Sequence, residues 1–193
     1  MKVNYPKGIK HNEVKNKELI TYGNRGMNLE EDINITNKYY VDKKIAFIYK
    51  KPTPIQVTKI DYNKGMIIKE AFFKEPSTTD YNGLYKGKYI DFDAKETENK
   101  TSFPLANVHI HQIKHIKNIV ENGGIGFLIV RFVKLNRDYI LLGEDLLSFI
   151  KNNDRKSIPL SYFEEKGYII DYGYIPRIDY LKVIDKILGG TND

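Results

Sequence analysis

Residues 125–133 read Ile-Gly-Phe-Leu-Ile-Val-Arg-Phe-Val, an almost unbroken apolar run at strand length. A strand with one face in water alternates apolar and polar residues, so a continuous run calls for cover on both faces. This places a central strand between two layers, and the rest of the chain supplies helices for both. Leu29, Ile33, Thr36 and Tyr40 recur at helical spacing in a predicted helix over 27–40, and Glu30, Glu31 and Asp32 suit its first turns. A second helix is predicted from Pro104 to about Val120, stopped by Asn122-Gly123-Gly124. Others are expected at 144–152 and 178–188, with a short one at 161–166. Ile45-Ala46-Phe47-Ile48-Tyr49 reads as a short buried strand, and 138–142 as a neighbour of the central one. Residues 80–96 read as a strand pair, with Asn82-Gly83 and Lys86-Gly87 as turn or bulge candidates. Alternating blocks of helix and strand indicate an α/β fold: a mixed central sheet flanked by helices.

One stretch does not fit the layers. Lys51-Pro52-Thr53-Pro54 breaks any ladder, because proline lacks the N–H a strand needs. Two extended runs follow, 55–60 and 66–73, joined by Asp61-Tyr62-Asn63-Lys64-Gly65. A hairpin protruding from the main sheet is the simplest reading. Its lysine-rich, partly apolar character suits insertion into a nucleic-acid feature, and it equally suits an ordinary core hairpin.

The chain has 193 residues, enough for one real core, and carries a net charge of +6 with pI near 9.1. A basic balance suits a polyanionic partner, because lysine and arginine displace counterions from phosphates. Lys43, Lys44, Lys50, Lys51, Lys59 and Lys64 cluster with only Asp42 and Asp61 as nearby acids. Lys2, Lys7, Lys10, Lys15 and Lys17 make residues 1–23 a basic arm, expected to be mobile, ahead of a single domain over 24–193. There is no cysteine, which excludes disulfides, thiolate nucleophiles and cysteine-ligated zinc. No run of 18 apolar residues occurs, so no membrane partner is expected. The opening residues lack the apolar core of a signal peptide, and a cytoplasmic location is the default expectation.

The chemistry concentrates in Ser77-Thr78-Thr79-Asp80 and Asp91-Phe92-Asp93-Ala94-Lys95-Glu96. Strand alternation turns Ile90, Phe92 and Ala94 toward the core and puts Asp91, Asp93 and Lys95 together on the other face. Two residues of rise set Asp93 and Lys95 about 7 Å apart at Cα, room for a metal and a water. Asp80, thirteen residues before Asp93, can return to the same place from the paired strand. The spacing matches the PD-(D/E)xK nuclease pattern, in which two carboxylates hold a hard cation and the lysine stabilises charge in the transition state. Alone, a D-x-D-x-K on a strand is more often a solvated face than a catalytic one.

His111 and His115 stand four apart, as in an H-E-x-x-H zinc site, but Gln112 occupies the glutamate position and cannot act as a general base, which argues against a metalloprotease. By helical projection Gln112 lies beside the stripe of Ile113, Ile116 and Val120, on the side that packs against the sheet. No P-loop and no G-x-S-x-G elbow is present.

Several motifs occur in order: Asn24-Arg25-Gly26-Met27, Asn37-Lys38-Tyr39-Tyr40, Lys50-Lys51-Pro52-Thr53-Pro54, Ser77-Thr78-Thr79-Asp80-Tyr81-Asn82-Gly83, Ala94-Lys95-Glu96-Thr97, Thr101-Ser102-Phe103-Pro104-Leu105, His111-Gln112 and Pro176-Arg177-Ile178-Asp179-Tyr180. Together, over about 24–185, they resemble the RecU family of Holliday junction resolvases. The resemblance implies a restriction-endonuclease-like fold and a homodimer that cuts four-way junction DNA symmetrically in recombination and repair. It implies Mg²⁺, with Mn²⁺ as a substitute, held by Thr78, Asp80, Asp93 and Gln112, with Lys95, Asp80 and Asp93 as the catalytic set. It makes the hairpin, about 51–75, a stalk that enters the junction, and it points to Arg25, Lys51, Lys64 and Lys74 as DNA-binding residues. Interplay with the RecA recombinase is a further implication. The chain departs from the family in Asp93, where glutamate is usual; the charge is kept and the reach falls by roughly 1.5 Å. Lys64-Gly65 also stands at the stalk tip where some relatives carry arginine. The alternatives are another endonuclease of the same fold or a non-catalytic junction-binding protein.

Overall fold

A computed structural model describes residues 28–63, 65–74 and 78–189. The elements run α1 (Leu29–Asp42), β1 (Phe47–Lys50), β2 (Ile55–Asp61), β3 (Ile67–Phe73), β4 (Tyr81–Tyr85), β5 (Lys88–Thr97), β6 (Ser102–Pro104), α2 (Ile110–Glu121), β7 (Ile125–Phe132), β8 (Arg137–Leu142), α3 (Gly143–Asn152), β9 (Ser157–Pro159), α4 (Leu160–Lys166), β10 (Tyr168–Ile170) and α5 (Tyr180–Gly189). Six strands form the central sheet in the order β1-β4-β5-β7-β8-β10. Its β5–β7 pair is parallel and its other pairs are antiparallel, so the sheet is mixed.

The apolar run is the covered strand it was read to be. Phe127 and Ile129 of β7 join a core with Leu29 and Ile33 of α1 and Leu181 and Ile184 of α5. Leu128 and Val130 point the other way, into a core with Ile116 of α2, Leu146 of α3 and Phe163 of α4. The start of α3 packs so close to α2 and to β7 that a Cβ on Gly143 would stand 2.6 Å from Ile116 Cγ2 and 2.8 Å from the Gly126 carbonyl oxygen. Glycine is required there by close approach, with no other geometry called for.

Helix α1 starts where Asn28 Oδ1 accepts the Glu31 N–H at 2.8 Å, an N-cap that satisfies one of the helix's orphan donors. The Leu29 N–H donates to Glu96 Oε1 of β5 at 2.8 Å. At the same end of the sheet Arg131 is buried, with Nε and Nη2 each 2.8 Å from the Asp138 carboxylate and Nη2 2.7 Å from Asp32 Oδ2. Burial works against its charge, but Asp138 and Asp32 outweigh it and hold the guanidinium protonated. Arg177 reaches the same Asp32 at 3.4 Å, and Tyr172 donates to Asp138 at 3.1 Å, so one charge network joins α1, β7, β8 and the segment before α5. Two of the sequence motifs meet nearby: Tyr40 Oη donates to Asp179 Oδ1 at 2.7 Å.

The stalk is a separate two-stranded sheet, β2 with β3, and every side chain of β3 is exposed. Its base is closed by the Lys74 N–H donating to the Pro54 carbonyl at 2.9 Å.

Three expectations need correction. Strand β1 is not buried: it is the edge of the sheet, so Phe47 and Tyr49 are exposed and only Ile48 faces the core. The second helix begins at Ile110 and not at Pro104, because Ser102–Pro104 pairs with β9 and a 3-10 turn intervenes. Asn82-Gly83 is not a turn but lies inside β4, where Gly83 faces Ile48 and a Cβ would meet the Phe47 carbonyl oxygen at 2.1 Å. Lys86-Gly87 makes the turn, both with positive φ. Among the described residues no helix is long and apolar enough to cross a membrane.

Candidate active site

Strands β4 and β5 pair antiparallel with Tyr81 opposite Phe92, and continuing that register brings Asp80 opposite Asp93. That register makes the two carboxyl groups cross-strand neighbours. Asp93 is fully buried and Asp80 partly so. Burial pushes the Asp93 carboxyl up to about 7; the Lys95 ammonium pulls against this, and the Asp80 carboxylate pushes it further up. Asp93 Oδ1 accepts the Ala94 N–H at 2.9 Å. Its Oδ2 is buried without a hydrogen bond, and Lys95 Nζ stands 3.2 Å from it as a charge. The three residues of the D…DxK skeleton therefore converge.

The face that carries them is not solvated. Asp91 and Asp93 are both 0% exposed, because α2 covers this side of β5. Ile90, Phe92 and Ala94 fill the opposite core, as alternation required.

Thr78 is half-buried, with its hydroxyl donating to the Thr79 carbonyl at 3.1 Å. It borders a cavity of about 440 Å³ together with Lys51, Pro52, Pro54, Thr79 and Asp80, between the sheet and the root of the stalk. Gln112 is buried in the first turn of α2, where its Oε1 accepts the His109 N–H at 3.0 Å. That contact makes it part of the helix cap, and an amide oxygen keeps a second lone pair for a ligand. Lys74 is exposed at the base of the stalk. Arg25, Lys64 and the basic arm lie outside the described residues.

The two histidines of the i, i+4 pair are turned to different neighbours. His111 stacks on His109, with ring centroids 5.3 Å apart, and its Nε2 is buried without a partner. His115 Nε2 lies 3.2 Å from Asp91 Oδ2.

Asp91 has more partners than the sequence reading gave it. Besides His115, Lys51 Nζ donates to Oδ2 at 2.8 Å and Tyr89 Oη at 3.0 Å, while the Thr79 hydroxyl donates to Oδ1. The signal was available, since alternation had already placed Asp91 on the face of Asp93.

Asp80 and Asp93 fit a hard divalent cation. Two carboxyl groups pressed together, one with a buried oxygen that nothing hydrogen-bonds, form an oxygen-donor set that a cation would complete.

Residues 24–186 match the family model of RecU, described as Recombination protein U. A protein of Pediococcus pentosaceus named Holliday junction resolvase RecU is 54% identical over 198 residues, covering 97% of this chain and 98% of its own length. One of Bacillus cytotoxicus with the same name is 48% identical over 197 residues, covering 97% of this chain and 98% of its own length. A solved structure of Archaeoglobus fulgidus Hjc, a Holliday junction resolvase, overlaps with a TM-score of 0.40 at 7% identity, over 68% of this chain and 91% of that one.

Proposed function

The chain belongs to the RecU family, and from that membership together with the Asp80–Asp93–Lys95 cleft we propose that it is a Holliday junction resolvase, an endonuclease that cuts four-way DNA junctions by metal-dependent phosphodiester hydrolysis. The observation that carries the chemistry is the convergence of two carboxyl groups and one ammonium on the helix-covered face of β5.

Asp80 and Asp93 would hold the metal, Mg²⁺ by the hardness of their oxygens, with Thr78 and Gln112 as further oxygen donors. The bound ion would supply charge neutralisation at the scissile phosphate and an acidified water. The residues themselves do the rest. Burial of Asp93 excludes bulk water, so the few charges in the cleft act at low dielectric. The Lys95 ammonium, aligned by Asp93 at 3.2 Å, is set to stabilise negative charge developing on the phosphate. Burial and the neighbouring Asp80 carboxylate raise the Asp93 carboxyl, so a cation held there would favour loss of the Asp93 proton.

The stalk supports a junction substrate. It projects clear of the sheet, exposes Phe72 and Phe73, and roots beside the cavity that Asp80 borders. Lys51 and Lys74 at that root, with Arg25 and Lys64, would contact DNA. A homodimer accounts for paired cuts, since a near two-fold junction is matched by two equivalent sites, and contact with RecA belongs to the same reading.

The test is cleavage of a synthetic four-way junction against linear duplex of the same sequence, with and without Mg²⁺, for wild type and Asp80→Asn. Paired nicks on the junction alone, dependent on metal and Asp80, are expected. Equal cutting of duplex would move the function to a general endonuclease of this fold, and binding without cutting would favour a non-catalytic junction binder.

A further inference from the structure

Asp91 has no place in the hydrolysis just described, yet it is fully buried and is the most heavily hydrogen-bonded side chain near the cleft. Its four donors come from four places along the chain: Lys51 after β1, Thr79 before β4, Tyr89 on β5 and His115 on α2. A buried carboxylate needs its oxygens satisfied, and these partners do so. Here the partners are also tied to each other, since Lys51 Nζ stands 3.1 Å from the Thr79 hydroxyl. The ammonium is thereby fixed by two bonds and keeps a third N–H, with its side chain 20% exposed at the wall of the 440 Å³ cavity. The Lys51 backbone N–H donates to the Asp80 carbonyl at 2.7 Å, so this cation is built into the same corner as the first metal-binding carboxylate.

We propose that Asp91 is a positioning residue that, with Thr79, holds the Lys51 ammonium in the cavity beside Asp80 to bind the DNA backbone phosphate adjacent to the one that is cut. A free lysine is a flexible point charge that would lose considerable side-chain entropy on binding; one already clamped does not. The phosphate next to the scissile one fixes the register of the strand, so the scissile phosphate arrives at Asp80 and Asp93 without search. The inference rests on the resolvase reading for the identity of the ligand as DNA.

The test uses the full-length protein and a fluorescent four-way junction in EDTA, with affinity measured by anisotropy between 50 and 200 mM salt. Each phosphate contact contributes about 0.9 to the slope of log K against log salt. Lys51→Gln and Asp91→Asn are each expected to flatten the slope by about one contact per protomer, and the double variant to bind no more weakly than the weaker single. An Asp91→Asn protein with the wild-type slope, or a double variant whose losses add, would overturn the proposal. If Asp91→Asn does not fold, Thr79→Val, nearly isosteric and uncharged, takes its place with the same expected and contrary results. Cutting by wild type in Mg²⁺ is read in parallel: its absence would refute the resolvase reading, whereas the slopes alone decide the role of Asp91.

Discussion

Lys95 Nζ lies 3.2 Å from Asp93 Oδ2, the one oxygen of that buried carboxyl that nothing hydrogen-bonds. The ammonium is held beside the proposed metal-binding position rather than in the fold's charge network. Lys95→Ala is therefore expected to slow junction cutting by about 10²–10³-fold, the range for losing one donor to a transition-state oxyanion. Junction affinity should stay near wild type. Single-turnover cleavage and equilibrium binding on the same substrate separate the two; a loss of binding in a folded protein would contradict the assigned role.

The raised Asp93 carboxyl gives a pH dependence with a definite sign. Its folded value is about 7 against an ordinary 3.8, so between those limits the folded state keeps a proton that the unfolded state has released. Stability of the metal-free protein must then fall as pH rises through that window and level off above it. Asp93→Asn removes this slope. Its melting temperature should exceed that of wild type at pH 8, by a margin that shrinks toward pH 5. Mg²⁺ at pH 8 should raise wild type and leave the variant unmoved. Thermal melts at the two pH values, with and without metal, check both statements.

Arg131 joins Asp32 and Asp138, all three almost wholly buried. Removing one partner of such a network strands the others, at a cost of about 3–5 kcal/mol. Arg131→Ala should lower the melting temperature by on the order of 10 °C, while the pH and metal dependence of any remaining folded enzyme stay as in wild type. A change under 2 °C would show the network to be solvated in solution.

The stalk forms its own sheet, and none of its described residues joins either core. Replacing residues 55–73 by a short Gly-Ser turn should leave the melting temperature within about 2 °C and the folded core intact. Preference for a four-way junction over duplex should be lost. Competition binding between the two DNAs measures it, and retained preference would locate junction recognition elsewhere.

What could be read from the sequence was governed by how far each signal is local. Strand β7 was legible because burial on both faces leaves an unbroken apolar run. Strand β5 was half legible: Ile90, Phe92 and Ala94 marked one covered face, but Asp91, Asp93 and Lys95 looked like a wet one. Helix α2 covers that face, and polarity there reflects chemistry where it would ordinarily signal solvent. Strand β1 misled in the opposite direction, since Ile45, Phe47 and Tyr49 look like core and are exposed. Its place at the sheet edge follows from strand order, which no local pattern carries. The contact of Asp91 with His115, 24 residues away, depends on how α2 docks, and β6 and β9, three residues each, are too short to give a periodicity.

Glu96, the residue after Lys95, accepts the Leu29 N–H at the very start of α1. The strand that carries Lys95 and the first residue of α1 are thus joined by a hydrogen bond. A shift of the first turn of α1 would therefore be felt at the residue next to the lysine.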